Sequence, residues 1–111
     1  MTKIKLALAQ INTKLGDVDA NLEKHLDLIE RARARETDLI LFPELSLTGY
    51  TLQDLTPSVA HRPSADDPIF APLLKASHEI DMVVGFVDED ERHRFYIADA
   101  YLSKGEVVHV H

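Results

Sequence analysis

A short unbroken apolar run, Asp38-Leu39-Ile40-Leu41-Phe42, is stopped by Pro43 and followed at once by Glu44, and no other segment limits the possible folds of this chain as strongly. Apolar residues without polar alternation over that length are the pattern of a strand buried on both faces of a sheet. Proline cannot donate to a ladder, so the strand has to end there. Upstream, Leu22, Leu26, Ile29 and Arg33 recur at helical spacing, with Asp17 or Asp19 available as N-cap. This predicts an amphipathic helix over 19–35, supported by pairs such as Asp27 with Arg31. Before it, residues 3–10 alternate Ile4, Leu6 and Leu8 against Lys3, Lys5 and Ala7, the period of a strand with one strongly apolar face. Strand, helix and strand in this order imply a right-handed crossover between parallel neighbours.

The remainder continues the alternation. Residues 51–65 hold two prolines and little periodicity, which predicts a long loop. Asp67-Pro68 has the form of a cap followed by a first-turn proline, and Ile69, Leu73, Ala76 and Ile80 then suggest a second helix, with Pro72 awkward near its start. Residues 82–87 are an apolar strand, 88–94 a polar connection with a solvated hairpin tip, and 95–102 another strand. Ser103-Lys104-Gly105-Glu106 is a turn before a last strand over 107–111. With no repeat or linker visible, residues 1–111 are expected to be part of one α/β domain with a mixed sheet. Because the last strand begins where the sequence ends, that sheet is expected to be incomplete.

Composition removes several function classes. The net charge is -7 and the basic residues are scattered, so no footprint exists for nucleic acid or an anionic membrane. No apolar run approaches the ~20 residues of a membrane span, and the opening residues lead into a strand instead of a signal peptide, so a cytoplasmic protein is expected. With no cysteine, the chain itself supplies no disulfide, zinc-thiolate site or thiol nucleophile.

Glu44 is the candidate catalytic residue. It follows a strand at its carboxyl end, the edge at which ligands bind in open α/β sheets. Pro43 fixes the backbone there, and Leu45 and Leu47 are expected to give apolar surroundings that raise the carboxylate toward neutrality and suit it to act as a base. A glutamate after a strand also serves as a solvated loop residue or a partner for lysine, and the residues alone leave that open. His109 and His111 have His-x-His spacing but no third ligand nearby, so exposed edge positions are the better reading. His25, His61, His78 and His93 share no spacing and default to the surface. Tyr50 could line a pocket beside Glu44, although packing is the commoner role.

The stretch Phe42-Pro43-Glu44-Leu45-Ser46-Leu47-Thr48-Gly49-Tyr50 resembles the glutamate motif of the nitrilase, or carbon-nitrogen hydrolase, superfamily. Ala7-Leu8-Ala9-Gln10, Gly16-Asp17, Asn21 and Val84-Gly85-Phe86 also fall where that family has them, so the resemblance spans essentially the whole chain. Gly105-Glu106-Val107-Val108-His109-Val110-His111 is similar to the approach to its second motif, in which an Arg-Lys pair follows. Ile97 departs from the pattern, since relatives commonly carry asparagine there.

The resemblance implies an α-β-β-α sandwich, of which this is the N-terminal part, and a homodimer or higher homo-oligomer. It implies a Glu-Lys-Cys triad in which only Glu44 lies within this sequence, acting without a metal or organic cofactor. A cysteine would attack a carbonyl or nitrile carbon, the lysine would stabilise the oxyanion, and Glu44 would take and return protons. The first expectation for the substrate is a small amide or nitrile, with residues 1–111 inactive by themselves. A second is glutamine hydrolysis, because Leu52-Gln53-Asp54-Leu55 is similar to the same region in glutaminase domains attached to NAD synthetases. A third, of another class, is a non-catalytic assembly module.

Overall fold

Helix α1 (Val18–Ala34) starts where Asp17 accepts a hydrogen bond from the Ala20 N–H at 3.0 Å, satisfying one of the donors a helix start leaves open. In the computed structural model, residues 3–49, 62–89, 91–92 and 94–111 are described. Asp27 and Arg31 pair on the outer face of α1 at 3.1 Å, as their spacing predicts. The inner face is Val18, Asn21, His25, Ile29 and Ala32, all buried. His25 is therefore a core residue and not, as expected, a surface one, because it occupies the apolar stripe of the helix at i+4 from Asn21.

Strands β1 (Leu6–Leu8) and β2 (Leu39–Leu41) flank this helix in sequence and pair in parallel, Leu6 with Leu39 and Leu8 with Leu41. Helix α2 (Phe70–Ala76) follows, shorter than the sequence suggests. The Asp67 carboxylate accepts from the N–H groups of Ile69 and Phe70 at 2.8 and 3.1 Å, so the acidic residue holds the helix start from two positions before the N-cap Ile69, and Pro68 precedes the first turn instead of lying in it. Pro72 is tolerated because the first helical turn needs no N–H from it. Strand β3 (Asp81–Glu89) then joins β2 in parallel, and β4 (Phe95–Ser103) and β5 (Glu106–Val110) add antiparallel hairpins. The five strands lie in sequence order, giving the mixed α/β sheet expected. Lys104 and Gly105 turn the last hairpin with φ of 51° and 81°, the two positive values that match the twist of the flanking strands.

Strand register separates two faces. Ile40, Met82, Val84, Phe86, Ala98, Ala100 and Leu102 point to one side and, with Phe70, Leu73 and Leu74 of α2 and Ile29 of α1, form the buried core. Phe70 and Phe86 meet edge to face with ring centroids 4.9 Å apart. The other side carries Leu6, Leu8, Leu39, Leu41, Val83, Tyr101 and Ile97, and no helix covers it among the described residues. One expectation changes here, the burial of β2 on both faces, and the direction of the β1 faces, which the sequence left open, is assigned. The apolar face of β1 points outward, with Leu8 75% and Ile4 74% exposed, while small Ala7 and Ala9 face the core. In β2 only Ile40 is fully buried; Leu39 and Leu41, on the open side, are partly covered.

Of the loop expected over 51–65, only 62–65 lie among the described residues; Tyr50, His61, His93 and the Leu52-Gln53-Asp54-Leu55 segment lie outside them.

Candidate active site

Residues 43–49 leave β2 at the carboxyl edge of the sheet and carry Glu44 there, at the position the sequence assigns to it. The segment is a tight sequence of turns. Ser46 N–H donates to Pro43 O at 3.1 Å, and the N–H groups of Thr48 and Gly49 both donate to Leu45 O, at 3.1 and 2.7 Å. Leu45 is held at φ 51° and Gly49 at 87°. A left-handed leucine is disfavoured on its own and persists here because its side chain is 3% exposed within the core.

Leu45 and Leu47 thus turn inward, and Glu44 is exposed, so the apolar surroundings expected for it from these two leucines are not formed by them. What stands beside it is a second carboxylate. Asp99 of β4 lies opposite Gly85 of β3, and both face the open side of the sheet. Burial pushes the Asp99 carboxyl above its usual range, the nearby Glu44 charge adds to that rise, and His111 opposes it. His111 exchanges two backbone hydrogen bonds with Asp99, 2.9 and 3.0 Å, so its side chain shares that face. Sequence reasoning missed Asp99, because only strand register brings it to Glu44.

Gly85 makes this crossing possible. A Cβ at that position would lie 2.4 Å from Leu45 N, 2.7 Å from Pro43 O and 3.0 Å from the Glu44 carbonyl carbon. The loop backbone therefore passes directly over β3 through the space a side chain would fill. Gly85 N–H and C=O are also used by the loop: Leu47 N–H donates to Gly85 O at 3.0 Å, and Gly85 N–H donates to Ser46 Oγ at 3.1 Å.

From below, α1 holds the same loop with two fully buried polar side chains. Asn21 Nδ2 donates to Leu47 O at 2.9 Å and to Lys14 O at 2.8 Å, while its Oδ1 accepts from Lys14 N–H at 2.7 Å. His25 Nε2 meets Ser46 Oγ at 2.8 Å, and Nδ1 lies 2.6 Å from Asn21 O. A carbonyl only accepts, so Nδ1 carries the proton. Burial pushes the imidazole down to about 4, leaving it neutral at pH 7, so Nε2 accepts the Ser46 hydroxyl proton. The ring also stacks on Phe42 at 4.2 Å. These two residues interrupt an otherwise apolar helical stripe, a signal present in the sequence but outweighed by the surface default for histidine.

Of the other candidates, His109 on β5 and His111 just past its end are exposed, with ring centroids 6.4 Å apart; His111 bears on this site through Asp99, and no group of three metal-binding side chains occurs among the described residues. Ile97 is 60% exposed on the open face. No helix among the described residues is long and apolar enough to cross a membrane.

Comparison with known proteins agrees with this layout. The carbon-nitrogen hydrolase family profile matches residues 5–108. The chain is 34% identical over its whole length to a glutamine-dependent NAD(+) synthetase of Acinetobacter baylyi, of which it spans 20%. The structure of glutamine-dependent NAD+ synthetase from Acinetobacter baumannii superposes with a TM-score of 0.80 at 32% identity, covering all of this chain and 21% of that one. An amidase from Nesterenkonia sp. has the same fold, with a TM-score of 0.80 at 23% identity over 96% of this chain and 41% of its own. The chain therefore spans about a fifth of the synthetases it matches. With the profile matched over most of the chain and the sheet shared with these structures, the chain belongs to the carbon-nitrogen hydrolase family.

Proposed function

We propose that residues 1–111 form the N-terminal part of a glutaminase unit, which hydrolyses the side-chain amide of glutamine and releases ammonia to a coupled synthetase reaction. The observation that carries this reading is the 34% identity over the full chain to a glutamine-dependent NAD(+) synthetase, against 23% to an amidase of the same fold. It reverses the order in which the sequence alone ranks the substrates, placing glutamine before other small amides and nitriles.

In this reading Glu44 is the general base. A cysteine thiol, supplied with a lysine by sequence outside these residues, gives its proton to the Glu44 carboxylate and attacks the amide carbon. The lysine stabilises the oxyanion, Glu44 returns the proton to the departing ammonia as the thioester forms, and a water from which Glu44 removes a proton then hydrolyses the thioester, the proton passing to the released cysteine sulfur. No metal or organic cofactor takes part, and the unit works as a homo-oligomer. Exposure of Glu44 in this chain is consistent with apolar walls contributed by the segments that bring the cysteine and lysine.

The test is ammonia release by the full-length protein from a panel of L-glutamine, other ω-amides, N-carbamoyl compounds and nitriles. L-glutamine is expected to be the best substrate, with Glu44→Gln lowering kcat by roughly 100-fold or more. Turnover of a nitrile or simple amide without turnover of glutamine would return the assignment to the amidase and nitrilase reading.

A further inference from the structure

We propose that His25 and Ser46 are positioning residues for the hydrolysis, their buried hydrogen bond clamping the Glu44 loop to helix α1 and so setting the direction of the carboxylate. This rests on Glu44 being the general base.

The loop needs such a clamp. Glu44 is two residues from Ser46, with the left-handed Leu45 between them, so a small rotation at Ser46 swings the carboxylate through a large arc. The Ser46 hydroxyl is the junction of three elements: it donates to His25 of α1, accepts from Gly85 N–H of β3 at 3.1 Å, and belongs to the loop itself. The far side of the imidazole is fixed by the Asn21 carbonyl at 2.6 Å, and its face by Phe42 at 4.2 Å, so the ring has one orientation and one tautomer. Asn21, one turn earlier on the same helical face, adds a second hold at Leu47 O. Together they turn a flexible connection into a rigid platform built on a helix and a strand.

The chemistry of the pair argues that it does more than fill space. His25 is completely buried, with its imidazole kept neutral by burial. An apolar side chain would fill the same volume without loss of hydration. A buried polar pair in which every atom has a partner gives a single geometry, which an apolar contact does not. No buried side-chain nitrogen or oxygen among the described residues lacks a partner, so the network is complete.

The experiment uses the full-length protein, with ammonia release from L-glutamine and from propionamide as the assay. His25→Leu, Ser46→Ala and the double variant are compared with Glu44→Gln, and Tm is measured for each. Each single variant is expected to lower kcat roughly tenfold or more with KM within about twofold. The double variant leaves neither member of the pair unpartnered by the other, and like Ser46→Ala it takes the Ser46 acceptor from the Gly85 N–H, so its Tm is compared with that of Ser46→Ala. It is expected to regain Tm toward the parent while kcat stays low, and to be no slower than the worse single variant. Recovery of kcat together with Tm would show a purely structural pair and overturn the proposal. So would single variants at parental kcat when Glu44→Gln is inactive. Ser46→Ala, which removes one oxygen, carries the test if His25→Leu does not fold. Parental turnover by Glu44→Gln would instead remove the base assignment itself, and the positioning role with it.

Discussion

His25 links stability to pH in a direction that can be worked out. Its folded value of about 4 lies below the usual 6.5 because burial penalises the charged ring. Between those values the unfolded chain binds the proton more readily, so the stabilisation is complete above about pH 6.5 and is lost as pH falls toward 4. The stability difference between the parent and His25→Leu should therefore shrink by roughly 2 to 3 kcal/mol from pH 7 to pH 4.5 in urea unfolding. A difference independent of pH would contradict the buried neutral ring. Asp99 runs the opposite way. Burial first, then Glu44, raise its carboxyl, so its ionised form is disfavoured in the folded protein, and stability falls as pH rises through its folded value. Asp99→Asn is expected to raise Tm modestly at pH 7, with the gain vanishing near pH 3; an unchanged or lowered Tm at pH 7 would count against it. Neither residue's setting was legible in the sequence. The place of Glu44 at the end of β2 was, because Pro43 closes the strand just before it, but its exposed surroundings were not; His25 takes its surroundings from a loop 21 residues away and Asp99 from a strand register.

At the scale of elements, the path of the Glu44 loop depends on one strand position without a side chain. Gly85→Ala would put a Cβ 2.4 Å from Leu45 N, a backbone atom that can yield only if the loop lifts off β3. The expected cost is about 1–3 kcal/mol. Activity of the full-length protein should fall more than the change in Tm alone explains, since the lift moves Glu44. Gly105→Ala offers the comparison. There the added Cβ meets the His78 ring at 2.5 Å, the end of an exposed side chain that can swing away, and the main penalty is the left-handed φ of 81°. That penalty is about 1 kcal/mol, and kcat should be unaffected. Equal kinetic effects from the two alanines would mean that the β3 crossing does not govern Glu44. The hairpins, both helices and the parallel β2 were legible from local pattern, since turn chemistry and periodicity act within a few residues. The ends were not: α2 shortens to seven residues because its acidic cap sits before Ile69 and Ser77 closes it.

For the whole molecule, the side of the sheet away from the helices decides how this chain behaves. Alternation in β1 showed that one face is apolar without showing which way that face points. Helix α1 and the core take the alanines, and Leu6, Leu8 and Ile4 are left 51%, 75% and 74% exposed. Sequence period distinguishes two faces but carries no sign; the sign comes from which side the crossover helix occupies. Ile97 extends the same exposed surface on β4 at 60%, and among the described residues no strand pairs with the outer edge of β1 or of β5. A broad apolar face between two unpaired edges is a surface that water does not stabilise. Residues 1–111 produced alone are therefore expected to self-associate in sedimentation velocity, increasingly with concentration. Replacing Leu6 and Leu8 with lysine should shift the distribution toward monomer while leaving the helix content by circular dichroism unchanged, because both side chains point away from α1 and α2. A parent fragment that stays monomeric across the concentration range would show that this face does not drive association. Association unchanged in the lysine variant would place the sticky surface elsewhere, with the β5 edge the next to test.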